Sequence, residues 1–382
     1  MKSVYKKLLR ILGVAIALHF TLVFTNNIHL YTTLENTIFK GRLGPEIDEF
    51  QIFENREVLV GIHEPWNENL SGRKLSQTEL ELHTELKSVA FLVIKNDSIE
   101  FEQYWEGYNS DSRSNSFSMA KSLVSMAIGA ALQDGFIESL DQTIDTYLPE
   151  FNGGDSVSIK NLLTMSSGID FDENYLNPFA YPAKANYGTD LKSLTLGYKW
   201  YKTGGENFEY LSGNTQLLAF IIEKATKMTL SEYFSSRIWS KVGAKNSALW
   251  SLDAKDGNEK AFCCFNSNAR DFARLGKLYL NKGTWNGVQL VPDWYVEESV
   301  SPFDFKEIDG PKCKRYGYQW WLTEYNNKPV FYARGILGQY IIVIPEDNLV
   351  ICRLGHKRIK PKNYDPPGEL EKYIEMAYRL SE

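Results

Sequence analysis

The hydrophobic pattern of the chain changes character at Ser88. Val89-Ala90-Phe91-Leu92-Val93-Ile94 is an unbroken apolar run and predicts a buried strand. Lys95-Asn96-Asp97-Ser98 then turns, and Ile99 to Trp105 alternates as a second strand. Met119, Leu123, Met126, Ala127 and Ala130 recur at threes and fours, which predicts a helix over Ser118 to Leu132. A shorter helical stretch runs from Ile159 to Met165 and should stop at Gly168, since glycine ends helices readily. Further helices are expected from near Asn214 through Leu217, Leu218, Phe220, Ile221 and Ile222, and over Ala269 to Leu280. Strand patterns return late, at Tyr318–Leu322, Val330–Ala333, Tyr340–Ile344 and Leu349–Leu354, before an amphipathic helix over about Glu369–Leu380.

Strands at both ends with helices between them predict an α+β sandwich. One antiparallel sheet would be built from the two ends of the chain, with flanking helices and an inserted, mainly helical lobe. A cleft between the lobes is the usual place for a small-molecule site. The expected divisions are 1–25, a signal anchor or signal peptide; 26–85, a polar lead-in containing Gly-Arg-Leu-Gly-Pro and Pro65-Trp66-Asn67; and 86–382, the main domain. In the first division, Lys2, Lys6, Lys7 and Arg10 precede a run from Ile11 to Phe24 that is apolar apart from His19 and Thr21. A basic start before an apolar segment is an export signal. Because no small-x-small cleavage pattern follows, an uncleaved anchor in the cytoplasmic membrane is expected. The positive-inside rule then places the catalytic part outside the cytoplasm.

Composition narrows the chemistry. A 43% hydrophobic and 24% charged chain of 382 residues is ordinary globular protein, and a net charge of −6 without a long basic run argues against nucleic acid. Four cysteines are too few for a disulfide scaffold. Cys263, Cys264 and Cys352 read as small buried residues. No pair of the five histidines has metal-ligand spacing, so no metal or other cofactor is implied.

Ser118-Met119-Ala120-Lys121 fits Ser-x-x-Lys, as do Ser3–Lys6 and Ser71–Lys74. Ser3 lies in the export signal and Ser71 in a polar, loop-like stretch, whereas Ser118 opens a strongly apolar helix just after a polar stretch that leaves two strands. Residues i and i+3 share a helix face, so Lys121 reaches the Ser118 hydroxyl. A buried lysine loses its proton more easily and can then take the proton of serine. The helix N-terminus also aims backbone N–H groups at a developing oxyanion.

The surrounding order is Phe117-Ser118-Met119-Ala120-Lys121-Ser122-Leu123, then Asp134-Gly135, Tyr147-Leu148-Pro149-Glu150 and Leu162-Leu163-Thr164-Met165-Ser166-Ser167-Gly168. It resembles the serine β-lactamase and penicillin-binding protein superfamily, best in its class C-like branch with esterases and aminohexanoate-dimer hydrolases. The resemblance covers about Ser88 to Gly355. It implies a Tyr-x-Asn or Tyr-x-Ser element, for which Tyr175-Leu176-Asn177 and Tyr210-Leu211-Ser212 both qualify. Tyr210 has the better context and would share the proton with Lys121, with Ser212 beside the substrate and Tyr175 at the mouth of the site. The resemblance further implies a glycine strand, matched by Ala333-Arg334-Gly335, with the N–H groups of Ser118 and Ile336 as the oxyanion hole. Gly335 would let the backbone approach the substrate, and Asn266 would face the pocket or cap a helix. Ala333 stands where the family carries a cation, and alternation points Arg334 to the other face. Trp320 and Trp321 are expected to pack the sheet.

The leading expectation is acyl transfer from a small amide or ester to water through a Ser118 acyl-enzyme. A β-lactamase or D-alanyl-D-alanine peptidase of the cell wall is the same-chemistry alternative. A non-catalytic sensor or binding protein on the same fold is the alternative from another class.

Overall fold

The computed structural model describes residues 2–42, 44–70, 72–308, 310–359 and 366–382. Leu43 of the Gly-Arg-Leu-Gly-Pro stretch and Ser71 of the second Ser-x-x-Lys match lie outside the described residues.

The elements that carry the argument are, in chain order, helices α1 (Lys2–Phe24) and α2 (His29–Asn36), strands β1 (Ser88–Lys95) and β2 (Ser98–Tyr104), and helices α3 (Met119–Gln133), α4 (Ile159–Leu163), α5 (Ser212–Thr226) and α6 (Ala269–Leu280). Strands β3 (Trp321–Tyr325), β4 (Lys328–Gly335), β5 (Gln339–Ile344) and β6 (Leu349–Gly355) follow, and helix α7 (Gly368–Ser381) ends the chain. The main sheet has the order β3-β4-β5-β6-β1-β2, with the short strand Asn67–Glu68 added in parallel beside β2. Every other neighbouring pair is antiparallel. The β6–β1 ladder, pairing Cys352 with Leu92 and Val350 with Ile94, joins the two ends of the main domain. An α+β sandwich with a sheet made from both chain ends is therefore what the chain forms.

Strand alternation sorts side chains onto the two faces. Leu92, Ile341, Val343 and Val350 pack with α3 and α6, while Phe91, Val93, Ile342 and Ile351 pack with α7. Gly276 lets α6 lie close to the sheet, because a Cβ there would stand 2.7 Å from Val350 Cγ1 and 2.8 Å from Ile341 Cγ2. A second, four-stranded sheet brings Ser114–Asn115 against Phe265–Ser267, with Ala248–Ser251 and Asn55–Val58 beyond. Its Ser114–Asn115 strand leads directly into the turn before α3.

Two expected elements end elsewhere, for visible reasons. The helix expected to reach Met165 stops at Leu163, because Met165 is in the left-handed region at φ 57 and its Sδ accepts hydrogen bonds from Leu211 N and Asn214 Nδ2. The strand expected over Tyr318–Leu322 begins only at Trp321. Gln319, at φ 62, turns inward instead: its side chain bonds Thr215 Oγ1 at 2.7 Å and the Leu162 and Leu163 carbonyls at 3.0 Å, and its carbonyl accepts Ser122 Oγ at 2.6 Å. One residue thus ties α3, α4 and α5 together.

Arg353, fully buried on β6, closes the sheet around the site strand. Its guanidinium donates to Ser88 Oγ (3.0 Å) and to the carbonyls of Leu86 (2.6 Å), Leu337 (3.0 Å) and Gly338 (2.7 Å). Arg353→Leu strands these acceptors in the core, and leaving buried groups of this kind unpaired costs about 3–5 kcal/mol. Urea unfolding of the detergent-solubilised chain should show a loss of that size; a loss below about 1 kcal/mol would contradict the role given to this side chain.

Candidate active site

Ser118 is presented by an uncommon backbone. Phe117, immediately before it, sits at φ 44, a region that bulky side chains avoid and that persists only where neighbours enforce it. Here Asn115 Oδ1 accepts Phe117 N at 2.8 Å, and the Phe117 carbonyl accepts Ser116 Oγ at 3.0 Å. Ser118 takes the N-cap position of α3, yet its hydroxyl makes no capping hydrogen bond. The oxygen that commonly satisfies a helix end is left for other use.

One turn into α3, Lys121 is 1% exposed. Its Nζ lies 3.4 Å from Ser118 Oγ, 3.1 Å from Ser212 Oγ and 2.8 Å from the Phe262 carbonyl. Burial pushes the ammonium down to about 8, with the charge of Glu173 acting in the opposite direction. The carbonyl can only accept. Ser212 gives its own hydrogen to Glu173 Oε1 at 2.5 Å, so towards Lys121 it too accepts. In the neutral amine both N–H bonds are then spoken for, and the lone pair is left facing Ser118.

Glu173 is the residue that sequence reasoning missed. Besides Ser212 Oγ, it accepts the Ser212 backbone N–H at 2.7 Å and the Tyr175 hydroxyl at 2.8 Å. A carboxylate on the first N–H of α5 is favoured by the helix dipole, and it starts the helix at Ser212 rather than near Asn214. The signal was present, two positions before Tyr175, but in a loop no spacing rule ties Glu173 to Ser212.

Tyr210 joins the group from the other side. Its ring lies under Lys121 Nζ, 5.2 Å from ring centre to nitrogen. Burial pushes the phenol up to about 12, moderated by the Ser118 contact and by the charges of Arg334 and Arg358. Arg334 projects on the opposite face of β4 from Ala333, as alternation requires, but that face is not remote from the site. The guanidinium stacks on Trp321, 3.7 Å from the ring centre, and Trp321 in turn packs on Tyr210. A cation therefore does stand behind Tyr210. Ala333 is buried in the core on the α3 side.

Gly335 ends β4 where the sheet meets the turn before Ser118. A Cβ there would stand 2.2 Å from the Ser116 carbonyl oxygen, so only glycine permits this approach. The next residue, Ile336, lines with Ser118 a cavity of about 460 Å³, and Tyr175, Phe262 and Cys263 also contribute to its wall. Asn266 does not line it. It is fully buried in the second sheet, where its Nδ2 donates to the carbonyls of Leu249 and Cys264 and to Ser251 Oγ. Nor is it the helix cap: Asn268 caps α6 through the Asp271 N–H at 2.8 Å. Cys263 and Cys264 are buried, as expected, but they are joined to each other in a disulfide. That covalent ring follows directly on the Phe262 carbonyl that holds Lys121. Among the described residues no cluster of potential metal ligands occurs.

Comparison with known proteins bears on the fold and the family. The family model described as Beta-lactamase matches residues 75–371. A 6-aminohexanoate-dimer hydrolase of Paenarthrobacter ureafaciens is 29% identical over 283 residues, 69% of this chain and 71% of that protein. Among solved structures, a Bacillus anthracis chain described as a candidate 6-aminohexanoate-dimer hydrolase superposes with a TM-score of 0.74 at 23% identity, covering 87% of this chain and 92% of the other. A family VIII carboxylesterase gives 0.62 at 17% identity, covering 78% and 95%. With the matched model spanning most of the main domain, the chain belongs to the beta-lactamase family of hydrolases.

Proposed function

We propose that the protein is a serine hydrolase that cleaves an amide or ester through an acyl-enzyme. The observation that carries the reading is the buried Lys121 amine, 3.4 Å from Ser118 Oγ, whose N–H bonds are accepted by Ser212 Oγ and the Phe262 carbonyl. Lys121 takes the serine proton as Ser118 Oγ attacks the carbonyl carbon. The N–H groups of Ser118 and Ile336 receive the developing oxyanion. Tyr210, kept protonated by burial, gives a proton to the leaving oxygen or nitrogen and regains one through Lys121. Water then enters by the same route in reverse and frees the acid.

The protein is further proposed to be exported and to remain anchored with the hydrolase outside the cytoplasm. Ser3–Phe24 is one helix long and apolar enough to cross a membrane. The basic residues before it favour that orientation. The Cys263–Cys264 disulfide supports it, since disulfides persist in oxidising compartments.

A cell-wall reading draws on one observation, the Arg334 charge that acts on Tyr210 from behind Trp321, outside the cavity wall. A nitrophenyl ester, an aminohexanoate dimer and a chromogenic cephalosporin separate the readings when assayed together. Turnover of the ester or the dimer is expected, and Ser118→Ala should lower it at least about 10⁴-fold. A mutant that keeps its activity would remove Ser118 from the nucleophile role, and cephalosporin turnover above the others would favour the cell-wall reading.

The pH profile tests the base. Lys121 must be unprotonated to act, so kcat/KM should climb as pH rises through about 8. Glu173 holds that value up, so Glu173→Gln should move the midpoint to lower pH. A midpoint that stays fixed or rises would detach the limb from Lys121.

A further inference from the structure

The cavity at Ser118 is larger and more apolar than a small polar amide requires. None of its lining residues is charged, and part of its wall comes from the lead-in segment: Leu30 and Leu34 of α2, and Ile38 just after it. Leu176, Phe179 and Ile336 complete the apolar wall. Helix α2 is fixed to this wall, with His29 Nε2 at 2.8 Å from the Pro178 carbonyl. Four residues, Thr25 to Ile28, separate it from the end of α1. A chain of that length reaches at most about 18 Å. The start of α2, which brings Leu30 and Leu34 to the cavity, is thus held within about that distance of the end of α1.

The rim itself is unusually greasy for a surface. Of the lining residues, Ile38 is 60% exposed, Leu176 95% and Phe179 50%, and Ile28, Tyr31 and Phe39 are exposed on and around α2. Exposed apolar side chains gathered on these segments mark an interaction site, and the contact of Tyr31 with His19 of α1 names the apolar phase. We propose that the cavity takes the hydrocarbon chain of a membrane-resident ester or amide, whose acyl group passes to Ser118 from the bilayer. The proposal rests on the serine-hydrolase and membrane-anchor readings above. In the reaction, Ser118 Oγ bonds the acyl carbon and the bond from that carbon to the head portion breaks. The serine proton ends on the leaving oxygen or nitrogen, and water then releases the free acid.

Two measurements on the full-length chain test it. The first compares kcat/KM for p-nitrophenyl acetate and octanoate at submicellar concentration. Each methylene removed from water is worth about fourfold, so even three accommodated methylenes raise octanoate over acetate about 60-fold. Leu34→Asn combined with Leu176→Ser should cut that ratio at least about tenfold, while Leu59→Asn, off the rim, should keep it. The second measures hydrolysis of p-nitrophenyl laurate dispersed in phosphatidylcholine vesicles that either contain the protein or are mixed with separate protein-bearing vesicles. Hydrolysis at least about tenfold faster in the shared bilayer is expected, by the gain in effective concentration. A flat chain-length series overturns the chain pocket and leaves the rim to a protein partner. Equal rates in shared and separate vesicles overturn the bilayer as source. Ester hydrolysis that survives Ser118→Ala in every arm marks instead a failure of the serine-hydrolase reading beneath the proposal.

Discussion

A lysine removed from water with no carboxylate against its nitrogen is the constraint on which the rest of the structure turns. Taking an ammonium into a dry interior is costly, and here the cost is met by tilting the balance towards the free amine. Burial favours that state, and the Glu173 charge opposes it. The Phe262 carbonyl and the Ser212 hydroxyl hold its N–H bonds, and Glu173 acts one residue removed, orienting Ser212. A carboxylate directly on Nζ would have formed an ion pair and held the proton on nitrogen.

Holding that arrangement demands backbone that chains avoid. Phe117, Met165, Cys264, Gln319 and Leu337 all have positive φ without being glycine, and all belong to the segments that surround the site. Each is pinned by its own contacts: Phe117 by Asn115, Met165 by Leu211 and Asn214, Gln319 by three helices, Cys264 by its disulfide, and Leu337 by Arg353. Bulky residues held at positive φ persist only where neighbours overdetermine them, as they do here.

Much of this was legible in the sequence, and the divide follows a physical line. Periodicity finds what packs: α6, the last three strands and the β1–β2 pair stand close to where their apolar patterns place them. Ser118 and Lys121 are legible because a helix fixes the relation between i and i+3. Glu173, Gln319 and the Cys263–Cys264 bond escape because loops carry them to partners tens or hundreds of positions away, or because adjacency carries no rule for cysteine pairing. Asn266 misleads for the converse reason: a polar residue beside a motif can serve the scaffold as well as the pocket, and only its three buried acceptors decide. Alternation gives the face of Arg334, but what Trp321 and Tyr210 bring to that face is tertiary information.

The ladder between β6 and β1 carries a consequence for when this molecule comes into being. Arg353 reaches back 265 positions to Ser88, and β6 is the strand on which β1 lies. Contacts so distant in sequence form late, because the long loop between them must close before they reward it. The β4 strand that brings Gly335 and Ile336 to Ser118 belongs to that same late half. A nascent chain can therefore wind its serine helix early and still hold no assembled site until its last strands emerge, so reactivity arrives only with the completed fold.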